Sequence, residues 1–147
     1  MRVSTRARYG LLAMIELGLR NKNGYTQLRE IADSQGIPEE YLEQLMLPLS
    51  RSGLVYSKRG SKGGYQLAHP PANITLLDIV LELEGPLLPM EERAPNEIND
   101  TVDNTAAGEV WKSVRENIEE TLGSMTLLQV CQRQRNKQAQ LAPMYHI

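Results

Sequence analysis

The sequence is 147 residues long, with 41% hydrophobic and 23% charged side chains, enough for one domain with a sizeable core or a small domain plus an accessory element, and too short for two full domains. No run of eighteen apolar residues occurs and the opening MRVSTRARYG has no apolar stretch, so the expectation is a cytoplasmic protein with neither a membrane span nor a signal peptide. One cysteine, Cys131, and two separated histidines, His69 and His146, supply neither an intrachain disulfide nor a four-ligand zinc set.

The net charge of −2 conceals an asymmetry. Residues 1–70 carry ten Lys/Arg against six Asp/Glu, whereas residues 71–147 carry six against twelve. A basic front half suits contact with phosphates, and the acidic rear half does not.

The first predicted helix spans Thr5 to Leu19, with Ser4 or Thr5 as its cap and Leu11, Met14, Ile15 and Gly18 on one face. Asn21–Gly24 interrupts the pattern. A second helix begins after Thr26, turns Leu28, Ile31 and Ala32 inward, and stops at Gly36. The turn Gly36-Ile37-Pro38 leads into a third helix from about Glu39, whose stripe is Leu42, Leu45, Met46 and Leu49. Two short helices joined by a glycine-containing turn form the helix-turn-helix pattern. Pro48 lies inside the third helix and lacks the N–H that would bond the Gln44 carbonyl, which predicts a kink or an end near Leu47.

Leu54–Tyr56 and Tyr65–Leu67 read as two short strands, joined by the basic, glycine-rich loop Lys58–Gly64 in the manner of a wing. Thr75 caps a fourth helix carrying Leu76, Ile79, Val80 and Leu83, ended by Gly85-Pro86. The fold class is mainly α: a winged helix-turn-helix domain over 1–85, a linker over 86–106 rich in Pro, Glu, Asn and Asp, and a long dimerisation helix with a short C-terminal helix over 107–131. In the long helix Ala107, Trp111, Val114, Ile118, Thr121 or Leu122, and Met125 recur at four- and three-residue steps, a stripe too narrow for a core and suited to packing along another helix. Trp111, Val114 and Ile118 are the expected homodimer contacts. Thr126-x-x-Gln129 opens the last helix as a capping box, and a frayed polar tail is expected over 132–147.

A helix-turn-helix inserts the start of its second helix into the major groove, so Glu40, Glu43 and Gln44 are candidate base readers, with a solvated helix face as the alternative. On the wing, Lys58, Arg59 and Lys62 are candidate contacts to double-stranded DNA, with Gly60, Gly63 and Gly64 allowing close backbone approach and Arg59 at the tip suited to a narrow minor groove. An ordinary soluble hairpin is the alternative. Arg2, Arg6, Arg8 and Arg51 would contact phosphates. Tyr9 packs the first helix on the core, and His69 sits in a surface loop. Cys131, beside Leu127, Leu128 and Val130, reads as a buried small hydrophobe, with a redox switch as the alternative. No nucleophile and base are arranged for catalysis, which leaves a DNA-binding regulator or a protein-interaction module that uses the winged domain without DNA.

Four segments in order carry a more specific resemblance: Met1-Arg2-Val3-Ser4-Thr5-Arg6-x-Arg8-Tyr9-Gly10-Leu11-x-Ala13-Met14; Leu28-x-x-Ile31-Ala32; Gly36-Ile37-x-x-x-Tyr41-Leu42-Glu43-Gln44-Leu45; and Gly53-Leu54-Val55-x-Ser57-x-Arg59-Gly60-x-x-Gly63-Gly64-Tyr65-x-Leu67. Together with Ile74-Thr75 and Leu83-Glu84-Gly85 they resemble the Rrf-type winged helix-turn-helix transcriptional regulators of bacteria, the family of IscR, NsrR and CymR. The resemblance implies a homodimer on a palindromic operator, with Tyr41, Glu43 and Gln44 at bases and Arg59 in the minor groove. It also implies, in many members, an iron–sulphur cluster held by three cysteines between the fourth and the long helix. Here Gly85 to Trp111 contains neither cysteine nor histidine, so the expectation is no cofactor. That departure is similar to the cluster-free cysteine-metabolism repressors, which implies control by a protein partner or by thiol oxidation; a small effector is a further candidate partner.

Overall fold

Ser4 starts the first helix, α1 (Thr5–Leu19), by accepting the Ala7 N–H through its hydroxyl at 3.1 Å. The computed structural model describes residues 3–87 and 105–142. The chain continues through α2 (Leu28–Gln35), α3 (Glu39–Arg51), strands β1 (Val55–Lys58) and β2 (Gly64–Leu67), a 3-10 turn at Pro71–Asn73, α4 (Leu76–Glu84), α5 (Ala106–Gly123) and α6 (Leu127–Leu141). Arg2, most of the expected linker and His146 lie outside the described residues.

The core collects one face from each of α1, α2, α3 and α4. Met14, Leu17, Ile31, Leu42, Leu45, Met46, Leu49 and Ile79 are almost fully removed from water. The α1 face is wider than the expected one: Met14, Ile15 and Gly18 are buried as expected, Gly10, Ala13 and Leu17 lie deep in it as well, and Leu11 is half-buried. Gly10 accounts for the extra width, since a Cβ there would collide with the Leu83 side chain, so α4 lies directly against the bare backbone of α1.

Glu16 is the buried charge of this core, and it is fully engaged. Arg20 Nε donates to its Oε1 at 2.6 Å and Gln35 Nε2 to its Oε2 at 2.8 Å, which fastens the C-terminal end of α2 to α1. A paired, hydrogen-bonded carboxylate can be buried at modest cost where a bare one cannot.

Helix α3 does not break at Pro48 but runs on to Arg51. The loss is one hydrogen bond in the final turn. That turn is held instead by Leu49, which is fully buried, by the Ser52 N–H to the Pro48 carbonyl at 3.0 Å, and by the Ser52 hydroxyl to the Leu49 carbonyl at 2.9 Å.

Strands β1 and β2 pair antiparallel from Val55↔Leu67 to Lys58↔Gly64. The first strand thus runs to Lys58, past the expected Tyr56, and the pairing takes Lys58 and Gly64 out of the expected loop. Thr26, just before α2, adds a third edge: its N–H and carbonyl exchange hydrogen bonds with Tyr65, each 2.8 Å.

Near the other end, Thr75 and Thr126 form an antiparallel bridge. Leu76 N–H donates to the Met125 carbonyl at 2.9 Å and Leu127 N–H to the Ile74 carbonyl at 2.8 Å. From this bridge α4 and α6 both depart, each with a capping box, Thr75 with Asp78 and Thr126 with Gln129. Helix α6 is longer than the short helix and frayed tail expected, continuing to Leu141, because Gln132–Leu141 is made of good helix formers propagating from a capped, anchored first turn. Its anchor residues Leu127 and Cys131 are buried against α1, so the C-terminal helix shares the core of the first 85 residues.

Candidate nucleic-acid interface

The second helix of the helix-turn-helix pair, and so the candidate recognition helix, is α3. Glu39 and Glu40 occupy its first turn, where acidic groups complement the helix dipole, and Arg51 lies in its last turn, where a cation does the same. Leu42, Leu45, Met46 and Leu49 face the core, which turns Glu40, Glu43, Gln44 and Leu47 outward. These four side chains, with Ser50, line an open groove whose far wall is Ser57 and Tyr65 of the hairpin. The Tyr65 phenol is pushed above its ordinary value first by burial and then by the neighbouring Glu43 charge. The three candidate readers therefore share one exposed face beside the wing.

Tyr41 stands apart from them. It is half-buried and meets Tyr9 edge to face, ring centroids 5.9 Å apart, so its ring joins α1 to α3 as Tyr9 was expected to join α1 to the core.

Arg59 and Lys62 are exposed on the tip loop of the wing, whereas Lys58 ends β1 with its ammonium 5.6 Å from the centre of the Tyr25 ring. The glycines act differently from the expectation. A Cβ on Gly63 would strike the Lys58 carbonyl and one on Gly64, at φ 134°, the Thr26 carbonyl. Both therefore permit close approach of the protein's own backbone, with no room left to face DNA, and Gly60 alone turns the loop in open space at φ 106°. Arg6 is also redirected: its Nε donates to the Leu83 carbonyl at 3.2 Å, at the C-terminal end of α4. Arg8 and Arg51 are exposed.

Leu47, Ser57 and Tyr65 belong to this surface and were not singled out in the sequence. Leu47 was findable, because it follows Glu43 by four residues and so shares its face. Ser57 and Tyr65 arrive only through the hairpin register.

In α5 only Gly108 is buried. Trp111 is 52% exposed and its neighbour Val110 58%, with Val114 and Ile118 half-buried on the same helix. Cys131 is 1% exposed, with its sulphur 3.6 Å from the Ile15 carbonyl and packed where Gly18 has no side chain. Burial pushes its thiol upward, and the charge of Arg135 offsets this only in part. The reactive alternative for Cys131 thus meets a sealed, thiol-favouring site. A cluster needs several thiolates. The only cysteine of the sequence is committed to the core, and among the described residues no three His, Cys, Asp or Glu side chains converge, so the donors present do not fit an iron–sulphur cluster.

Among the described residues no helix is long and apolar enough to cross a membrane. Residues 3–133 match the model of the Rrf2 family, described as iron-dependent transcriptional regulators. The chain is 43% identical over 127 residues to the HTH-type transcriptional regulator CymR of Bacillus subtilis, covering 86% of this chain and 87% of that one. The solved structure of CymR, the global cysteine regulator of B. subtilis, superposes with a TM-score of 0.74 at 41% identity, covering 90% of this chain and 98% of CymR. That of T. potens IscR gives 0.76 at 38% identity, covering 94% and 91%. With a winged helix-turn-helix fold, an exposed candidate reading face on α3 and these relatives, the chain belongs to the Rrf2 family and is a DNA-binding transcriptional regulator.

Proposed function

We propose that the protein binds a palindromic operator as a cytoplasmic homodimer, with α3 in the major groove and the wing in the adjacent minor groove, and that it does so without an iron–sulphur cluster or catalytic activity. The carrying observation is the shared exposed face of Glu40, Glu43 and Gln44 beside the hairpin that bears Arg59 and Lys62. Glu43 can accept from cytosine N4 and Gln44 can pair with adenine at two points, while Arg59 suits the negative potential of a narrow minor groove. Lys58, Lys62, Arg51, Arg8 and Arg2 would hold phosphates. The ring of Tyr41 is occupied by Tyr9, so its contribution to the interface is limited to its hydroxyl edge and to holding α3.

Dimerisation through α5 is supported by Val110 and Trp111, whose exposure in a single chain leaves an apolar patch of the kind that partners cover. The lone, core-packed cysteine supports control by a protein partner or small effector over control by thiol oxidation. Filter binding against a randomised duplex pool at several salt concentrations tests the reading. Selected duplexes should be retained with steep salt dependence, and Lys62→Ala should reduce the salt slope by about one. Salt-independent or negligible retention would contradict it.

A further inference from the structure

We infer that Gln27 is a positioning residue for the wing: its side-chain amide tethers the tip loop to the start of α2 and thereby fixes where Arg59 stands relative to α3. The inference rests on the proposed minor-groove role of the wing.

The hairpin is held firmly one pair below its tip. Thr26 and Tyr65 exchange two 2.8 Å hydrogen bonds, and Gly64 has no Cβ to push Thr26 away. The tip, residues 59–63, lies beyond the last pair, Lys58↔Gly64. Within it the Gly63 N–H closes a local turn on the Gly60 carbonyl at 3.0 Å, which shapes the loop but does not aim it. Gln27 supplies the aim. Its Nε2 donates to the Ser61 carbonyl at 2.9 Å, thirty-four residues away in sequence.

The tether has a fixed base. Gln27 is the N-cap of α2: its N–H donates to Glu30 Oε2 at 3.3 Å, and its carbonyl accepts the Glu30 and Ile31 N–H groups at 3.0 and 3.3 Å. Ile31 and Ala32 bury α2 in the core, and Arg20 reaches Glu30 at 3.9 Å. A two-stranded hairpin alone is marginal in water, so a loop bonded to a packed helix presents its arginine with less ordering left for binding to impose.

Gln27→Met keeps the length of the side chain and removes the donor. Gln27→Glu keeps the shape, also removes the donor, and places a negative charge at a helix start where it is tolerated. Because Gln27 is exposed, both should fold. In the free protein, hydrogen exchange at the Gly63 amide, which closes the tip turn on the Gly60 carbonyl, should quicken several-fold in both variants with α2 unchanged. On duplexes selected by the wild-type protein and flanked by A·T-rich or G·C-rich segments, the preference for A·T flanks should fall about three- to tenfold. Gln27→Met added to Arg59→Ala should lower that preference no further than Arg59→Ala alone. Unchanged exchange at the tip in both variants overturns the tether. Faster exchange, with a flank preference that Arg59→Ala lowers and Gln27→Met does not, overturns the part of Gln27 in reading. A preference that Arg59→Ala itself leaves intact refutes the minor-groove role, separately from the tether.

Discussion

Tyr9 of α1 and Tyr41 of α3 meet with their rings at 78° and their centroids 5.9 Å apart, so the helix proposed to enter the major groove is clamped to the first helix by an aromatic pair lying next to Glu43 and Gln44. The contact depends on the rings, and edge-to-face pairs contribute about 0.5–1.5 kcal/mol beyond simple burial. Tyr41→Phe should therefore leave unfolding free energy within about 0.5 kcal/mol of wild type. In a double-mutant cycle Tyr9→Ala and Tyr41→Ala should show a coupling of about 1 kcal/mol by urea denaturation. Strict additivity would mean that the rings touch without stabilising.

Glu16 gives the stability a dependence on pH. Burial pushes its carboxyl up, but hydrogen bonds from Arg20, Gln35 and Ser34 and the charge of Arg20 together outweigh it, leaving the group below its ordinary 4.5. The stabilisation is present above 4.5 and is lost as pH falls through the lower folded value. Glu16→Gln should cost about 1–2 kcal/mol at neutral pH. That deficit should shrink as chemical denaturation is repeated at successively more acidic pH, and a deficit independent of pH would contradict the assignment.

Cys131 fills the space left by Gly18 rather than waiting for an oxidant. Its thiol should react with a disulfide reagent in the native protein only at the rate of opening, and at full speed in denaturant. Peroxide treatment sufficient to oxidise an exposed thiol should leave DNA affinity unchanged. Cys131→Ser, which sets a hydroxyl in the same apolar site, should cost about 1–3 kcal/mol. Fast native-state labelling would revive the switch.

The exposed pair Val110 and Trp111 makes the oligomeric state a direct test of α5. Trp111→Glu combined with Ile118→Glu should convert dimers to monomers by light scattering without unfolding, since Trp111 is exposed and Ile118 only half-buried in the single chain. Persistence of the dimer would move the interface elsewhere.

What could be read in the sequence divides along physical lines. The stripe Leu42, Leu45, Met46, Leu49 fixed the inward face of α3, and with it the outward placement of Glu40, Glu43 and Gln44, because helical periodicity is a local property. Of the two outcomes Pro48 allowed, the end near Leu47 does not occur, since the cost of one lost hydrogen bond is local while the burial of Leu49 that offsets it is not. Gly63 and Gly64 were recognisable as positions of close approach, but only the fold shows that the approaching groups are the carbonyls of Lys58 and Thr26. The bond from Arg6 to the Leu83 carbonyl was not legible, because it exists only once α4 is packed against α1. The reach of α6 to Leu141 was concealed by a polar composition that a capped, core-anchored first turn can nonetheless propagate.

The measurement closest to the central claim compares Gln44→Ala with wild type on a duplex selected from a randomised pool and on its shuffled counterpart, at matched salt. If α3 reads base edges, the loss on the selected duplex should be on the order of 1–3 kcal/mol, with preference relaxed at one symmetric pair of positions. Binding to the shuffled duplex should barely change. Equal losses on both duplexes, or no loss on either when Glu43→Ala is equally silent, would contradict the account by showing that this face of α3 does not read the sequence.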